Sequence, residues 1–287
     1  MMKILNYKAT LLICLAFIFG PAVHLRAEDK TPIVFAAEEM AKRNDADLKF
    51  DHTHSAWNEI LKEAVVTKGA KSSVRYAALK QGPKRLESYI HSLSDVTKEQ
   101  YDKFSESEKL SFLINAYNAF TLTLVVNNYP VSSIKKIGGW FSTPWKIQFF
   151  KLFGELHSLD DIEHGMIRKW FNEPRIHFAL VCAAKSCPPL RNEAYVADRL
   201  EEQLSAAARN FLTDRDRNYF DAPTGIVYLS SIFQWYGDDF NKTYRSAKQF
   251  IATVMAGSKI EEIKIANEDT PIEYLSYDWA LNDASSN

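Results

Sequence analysis

The sequence predicts an α+β fold: a small mixed or antiparallel sheet with helices packed around one buried central helix at about residues 110–126. Three observations carry this. A long apolar run at 110–126 follows a helix-start signal. Several other segments repeat apolar residues at helical spacing. Short apolar runs, bounded by proline and glycine, have the length of strands.

In chain order, residues 51–66 read as an amphipathic helix, with Trp57, Ile60, Leu61, Ala64 and Val65 on one stripe. Residues 74–78 suit a short strand or a turn. Residues 83–93 form a second helix, with Pro83 in its first turn and Leu86, Tyr89, Ile90 and Leu93 inward. Ser105 and Glu108 make a capping box for the central helix, and Pro130 follows its end. That helix is apolar nearly all round, the mark of a buried element. Its Asn115 and Asn118, three apart, share a face. A buried amide without partners costs about 1–3 kcal/mol, so both should hold a loop, each other or a ligand.

Residues 145–153 and 156–158 read as a hairpin about Gly154-Glu155. Ser158 and Asp161 then open a helix over 159–171 carrying Glu163 and His164, with His164 on the face of Asp160, Asp161 and Arg168. Residues 176–182 lie between Pro174 and Pro188-Pro189 and have the length and composition of a core strand. On a strand, His177 and Cys182 would face opposite ways. Residues 195–212 suit a helix, 219–221 and 226–229 two strands, and 246–255 a helix. Residues 260–265 suit a strand, and 274–282 a closing segment. The aromatics of 230–240 read as core.

Lys3 and Lys8, the apolar run 11–19, Gly20-Pro21 and small residues up to Ala27 predict a secretory signal peptide. Its loss at Ala27 removes Lys3, Lys8 and Arg26 but no acid, moving the formal charge from −1 to −4. A linker at 28–50 and one globular domain at 51–287 would remain, without a transmembrane span. The expected location is periplasmic or extracellular. The acidic balance argues against a nucleic-acid partner. There is no glycine-rich phosphate loop or HExxH metal signature, and no cofactor is predicted.

Cys182 and Cys187 are the cysteines of the mature chain. Three readings stay open. The two form a disulfide pinning the loop. Or Cys187 is a thiolate nucleophile of a hydrolase or acyl transferase, with His177 or His164 as base, Glu163 orienting it, Asn115 or Asn118 on the oxyanion and Lys185 favouring the thiolate. Or both cysteines and both histidines bind zinc, at spacings that match no familiar pattern. The rival to an enzyme is an envelope binding module for a small molecule, peptide or glycan, using Trp140, Trp145, Trp235 and Tyr236.

Several motifs in one order carry a resemblance. They are Asn115-Ala116-Tyr117-Asn118-Ala119, Asp161-Ile162-Glu163-His164-Gly165, His177-Phe178-Ala179-Leu180 with Cys182, and Ser186-Cys187-Pro188-Pro189-Leu190. Phe233-Gln234-Trp235-Tyr236 with Asp239-Phe240, and Tyr277-Asp278-Trp279 with Leu281-Asn282, complete them. Together they resemble the domain of unknown function 547 family across roughly 57–282. Arg75 departs from the acidic residue expected before the tyrosine. The resemblance implies a domain of exported bacterial proteins and brings no settled activity.

Overall fold

A computed structural model of the protein describes residues 50–139 and 142–286. The leader at 1–27, all of the 28–50 linker but Phe50, and Trp140 lie outside the described residues.

Helix α1 (Ser55–Ala64) buries Trp57, Ile60, Leu61 and Ala64, the stripe its periodicity predicts. It starts later than expected because the Asp51 carboxylate accepts the Ser55 N–H at 2.9 Å and His54 turns left-handed at φ 49°. Strands β1 (Val65–Lys68) and β2 (Lys71–Val74) then pair antiparallel, Val65 opposite Val74, through Gly69 at φ 58°. Val74 thus ends a strand and Tyr76 opens α2 (Tyr76–Gln81). Helix α3 (Lys84–Ser94) inserts Leu86, Tyr89, Ile90 and Leu93, and α4 (Lys98–Asp102) follows a Thr97/Gln100 capping box.

Helix α5 (Glu106–Asn128) is the centre. Ser105 and Glu108 exchange side-chain-to-backbone hydrogen bonds at 2.8 and 3.3 Å. Every residue from Leu110 to Val126 is buried. With a mean hydropathy of 1.3 the helix would suit a membrane span by composition, yet 94% of that stretch is enclosed by the protein. Phe150 stacks on Phe120 at 3.7 Å and brings in the next hairpin. Its strands β3 (Phe150–Leu152) and β4 (Glu155–His157) turn through Phe153 and Gly154, both at positive φ, as a tight two-residue hairpin requires. Trp145 lies before it, in a 3₁₀ turn at Pro144–Lys146.

Ser158 and Asp161 cap the following helix as expected. Its stretch Asp161–Ile167 is π-helical before α6 (Arg168–Trp170). The expected strand at 176–182 does not form. Pro174–Phe178 is a 3₁₀ turn, followed by an irregular loop. The physical reason is that α5 supplies side-chain partners for this backbone in place of a neighbouring strand, as described below.

Helix α7 (Leu200–Leu212) begins after a 3₁₀ turn at Ala197–Arg199 and buries Leu200, Leu204, Ala207, Ala208 and Phe211. Strands β5 (Tyr219–Asp221) and β6 (Ile226–Ser230) are antiparallel, and β7 (Ile272–Leu275) joins β6 in parallel. Between them run α8 (Ile232–Thr243), α9 (Ala247–Met255) and α10 (Lys259–Ala266). The strand expected at 260–265 is therefore helical. Ser258 accepts the Glu261 N–H at 3.2 Å and Glu261 accepts the Gly257 N–H at 2.9 Å, capping that start. The α+β class holds, with the strands divided into two antiparallel pairs and one mixed three-stranded sheet. One core surrounds α5; a second gathers Phe178, Phe211, Leu229, Phe240 and Ile251 from the 3₁₀ turn, α7, β6, α8 and α9.

Candidate active site

The site is built on the loop that replaces the predicted strand. Asn118 of α5 donates to the Ala179 carbonyl and accepts the Val181 N–H, both at 3.0 Å. Asn115 does the same to Tyr195, at 2.7 and 3.0 Å. Each amide tethers backbone through both its oxygen and its nitrogen, and neither is among the residues that line the cavity beside the loop.

Three further contacts fix the loop. Arg217, 7% exposed and paired with Asp214, donates to the carbonyls of Lys185 (3.0 Å) and Cys187 (3.2 Å). Ser186 exchanges hydrogen bonds with the Asp278 backbone. The closing segment adds Lys185 N–H to Ala280 and Asn282 N–H to Ala183. Ala183 sits at φ 59°, a strained value for a residue with a side chain that this clamping sustains.

Beside the loop lies a cavity of about 330 Å³. Cys182, Cys187, His177, Glu163 and His164 all line it. Trp145, Trp235, Tyr277 and Trp279 form an aromatic wall, with Tyr277 and Trp279 4.6 Å apart. The absence of a strand removes the reason for placing His177 and Cys182 on opposite faces. Lys185 is exposed and is not among the lining residues.

Both cysteines are free thiols, so no disulfide pins the loop. They differ sharply. Cys187 is 3% exposed, its sulfur accepts the Cys182 N–H, and burial pushes its thiol well above the ordinary value. Both its burial and its raised pKa count against Cys187 as the ionised nucleophile. Cys182 is half-buried, and the hydrogen bond from Cys187 draws its thiol downward against burial, helped by the Tyr277 hydroxyl at 3.2 Å. Cys182 is therefore the sulfur of the pair that more readily becomes a thiolate.

His177 is 4% exposed and stacks on Tyr236 at 3.9 Å. Burial lowers its pKa more than Asp239 raises it, so the ring is neutral at pH 7. Its Nε2 lies 2.9 Å from Asp239 Oδ2. A carboxylate there accepts a proton-bearing nitrogen, which leaves the lone pair on Nδ1. Burial alone would raise the Asp239 carboxyl, but His177, Arg168 and Lys242 together hold it far below the usual range. Asp239, not Glu163, is the acid that orients the histidine. Glu163 is buried and bonded by the Tyr236 hydroxyl instead. His164 is exposed at the rim, against Arg168 at 3.0 Å and 3.8 Å from Asp160.

Sequence reasoning gave no role to Asp239, Tyr277, Arg168 or Arg217. Tyr236 and Asp239, three apart on α8, share a face, and that spacing was the available signal. Of the aromatics of 230–240, Phe233 and Phe240 are core, whereas Trp235 is 46% exposed at the cavity. Among the described residues, no group of three or more histidine, cysteine, aspartate or glutamate side chains is arranged to hold a metal ion.

Comparison with curated proteins and with solved structures gave no match. Residues 101–212 match the family model described as "Protein of unknown function, DUF547". That span holds Asn115, Asn118, Glu163, His164, His177, Cys182 and Cys187, while Asp239, Tyr277 and Trp279 come from beyond it. The match to this family model thus covers the segment that supplies both cysteines and both histidines of the cavity.

Proposed function

We propose that the cavity is the site of a thiol-dependent hydrolase or acyl transferase, with Cys182 as nucleophile. The observation that carries this reading is the shared cavity of a thiol with a lowered pKa and a neutral histidine oriented by a carboxylate. In the proposed reaction, Cys182 Sγ adds to an acyl carbon and the carbon–oxygen or carbon–nitrogen bond to the leaving group breaks. His177 Nδ1 takes the thiol proton and returns it to that leaving group. Water, or an acceptor alcohol or amine, then cleaves the thioester. Tyr277, whose hydroxyl burial keeps protonated, is a hydrogen-bond donor beside the sulfur for the developing oxyanion. With the leader expected at 1–27, this chemistry belongs to the cell envelope.

A second reading rests on the aromatic wall. Trp235, Tyr277 and Trp279 present a cluster of touching rings to the cavity, which suits retention of a peptide or glycan without chemistry. Incubation with a panel of p-nitrophenyl esters separates the two. The enzyme reading expects a stoichiometric burst and an acyl adduct mapping to Cys182, absent in Cys182→Ala. Release equal to that of Cys182→Ala, with no adduct across the panel, supports the binding module.

A further inference from the structure

The two sulfurs also stand in a relation that acyl transfer does not need. Cys187 contributes no acid, base or nucleophile to the proposed reaction, yet it lines the same cavity and hydrogen-bonds Cys182. The Cys182 N–H reaches Cys187 Sγ at 2.7 Å. The turn between them is closed by Cys187 N–H to the Ala184 carbonyl at 3.1 Å. Asn118 holds the chain just before Cys182, and Arg217 holds the carbonyl of Cys187. One thiol is half-buried at the cavity and the other is enclosed behind it. A more accessible sulfur that meets an oxidant first, with a second thiol held in reach, is the arrangement of an oxidation site with its own resolving group.

We infer that Cys182 and Cys187 form a reversible dithiol–disulfide couple that a hydroperoxide closes. The Cys182 thiolate attacks the terminal peroxide oxygen, the O–O bond breaks, and Cys182 becomes a sulfenic acid as hydroxide or an alkoxide leaves. Cys187 sulfur then displaces the sulfenic oxygen, and its proton departs with that oxygen as water. Both sulfurs are oxidised by one electron each and the peroxide takes up two. Closure needs the sulfurs to come to about 2.05 Å, a local change in a turn already held from both sides. In the closed state neither sulfur is free as a nucleophile, and a dithiol reopens it by exchange. This couple shares Cys182 with the acyl-transfer reading. The test below follows sulfur oxidation alone, so the two stand or fall separately.

The full chain is reduced, desalted and treated with hydrogen peroxide, then with dimedone and an alkylating agent. Trypsin cuts at Lys185, between the cysteines. The expected product is an intact mass lower by two hydrogens, with peptides 176–185 and 186–191 linked and released by dithiothreitol. Dimedone should mark Cys182 in Cys187→Ala at least ten times more than in the unsubstituted chain, and Cys182→Ala should give neither product. The mapping of the unsubstituted chain stands without either variant. Persistent dimedone labelling of Cys182 in that chain, a disulfide only between chains, or Cys182 and Cys187 both left as thiols after peroxide would each overturn the couple.

Discussion

His177 Nε2 lies 2.9 Å from Asp239 Oδ2, joining the 3₁₀ turn that begins the reactive loop to helix α8. This contact orients the one buried imidazole at the cavity, and Arg168 and Lys242 hold the same carboxylate in place. Asp239→Asn should therefore act on chemistry before stability. An amide can present its N–H to the ring and favour the other tautomer, moving the lone pair off Nδ1. Acylation of Cys182 by an activated ester should fall roughly 10²–10⁴-fold, the range general-base catalysis contributes. Stopped-flow release of nitrophenolate checks it. An unchanged rate would remove His177 as the base.

Asn118 and Asn115 make equivalent bidentate bonds to different loops. Replacing either by alanine strands a backbone N–H and a carbonyl in the core, at about 1–3 kcal/mol for each unsatisfied group. Urea denaturation should show comparable destabilisation for the two variants. Only Asn118→Ala should change the alkylation rate of Cys182, because only Asn118 holds the loop that carries it. Equal effects on alkylation would contradict the separate roles.

Phe120 is fully buried on α5 and stacks on Phe150. Phe120→Ala should cost about 3–5 kcal/mol, the usual loss for an aromatic removed from a packed core. A cost under 1 kcal/mol would mean the α5 core repacks freely.

His54 is 1% exposed, and burial lowers its pKa to about 3 while its Nδ1 meets the Tyr89 hydroxyl at 2.7 Å. The folded state holds this ring neutral, and the unfolded chain protonates it near the ordinary value of about 6.5. Stability from His54 is thus fully present above about pH 6.5 and falls as pH drops from there towards about 3, by about 1.4 kcal/mol per unit. His177, also lowered, contributes in the same sense. His54→Asn suits the left-handed backbone at φ 49° and does not titrate. It should lower stability at pH 7 and flatten the loss between pH 6.5 and 4.5, a window chosen above most carboxylates. Denaturation midpoints at both pH values test this; parallel losses in the two proteins would refute it.

Helix α5 was legible because its signals are local: a capping box at Ser105/Glu108 and an apolar run too long for a strand. The stretch 176–182 was not. Its branched and aromatic residues suit a strand, and what makes it a turn and loop is Asn118, far away in sequence. Residues 260–265 carry isoleucines that fit either period, and the Ser258/Glu261 cap decided for helix. The members of the site were mostly visible as residue types: Cys187, His177, His164 and Glu163 do share a cavity. Which sulfur ionises was not, because it depends on burial and on Tyr277, which arrives from the C-terminal third.

Competitive alkylation of the native, reduced protein with iodoacetamide at pH 7–8, followed by peptide mapping, tests the central claim most directly. Cys182 should label at least ten times faster than Cys187, and the difference should vanish in urea. Preferential labelling of Cys187, or no labelling of Cys182 before and after mild reductant, would contradict Cys182 as the reactive sulfur.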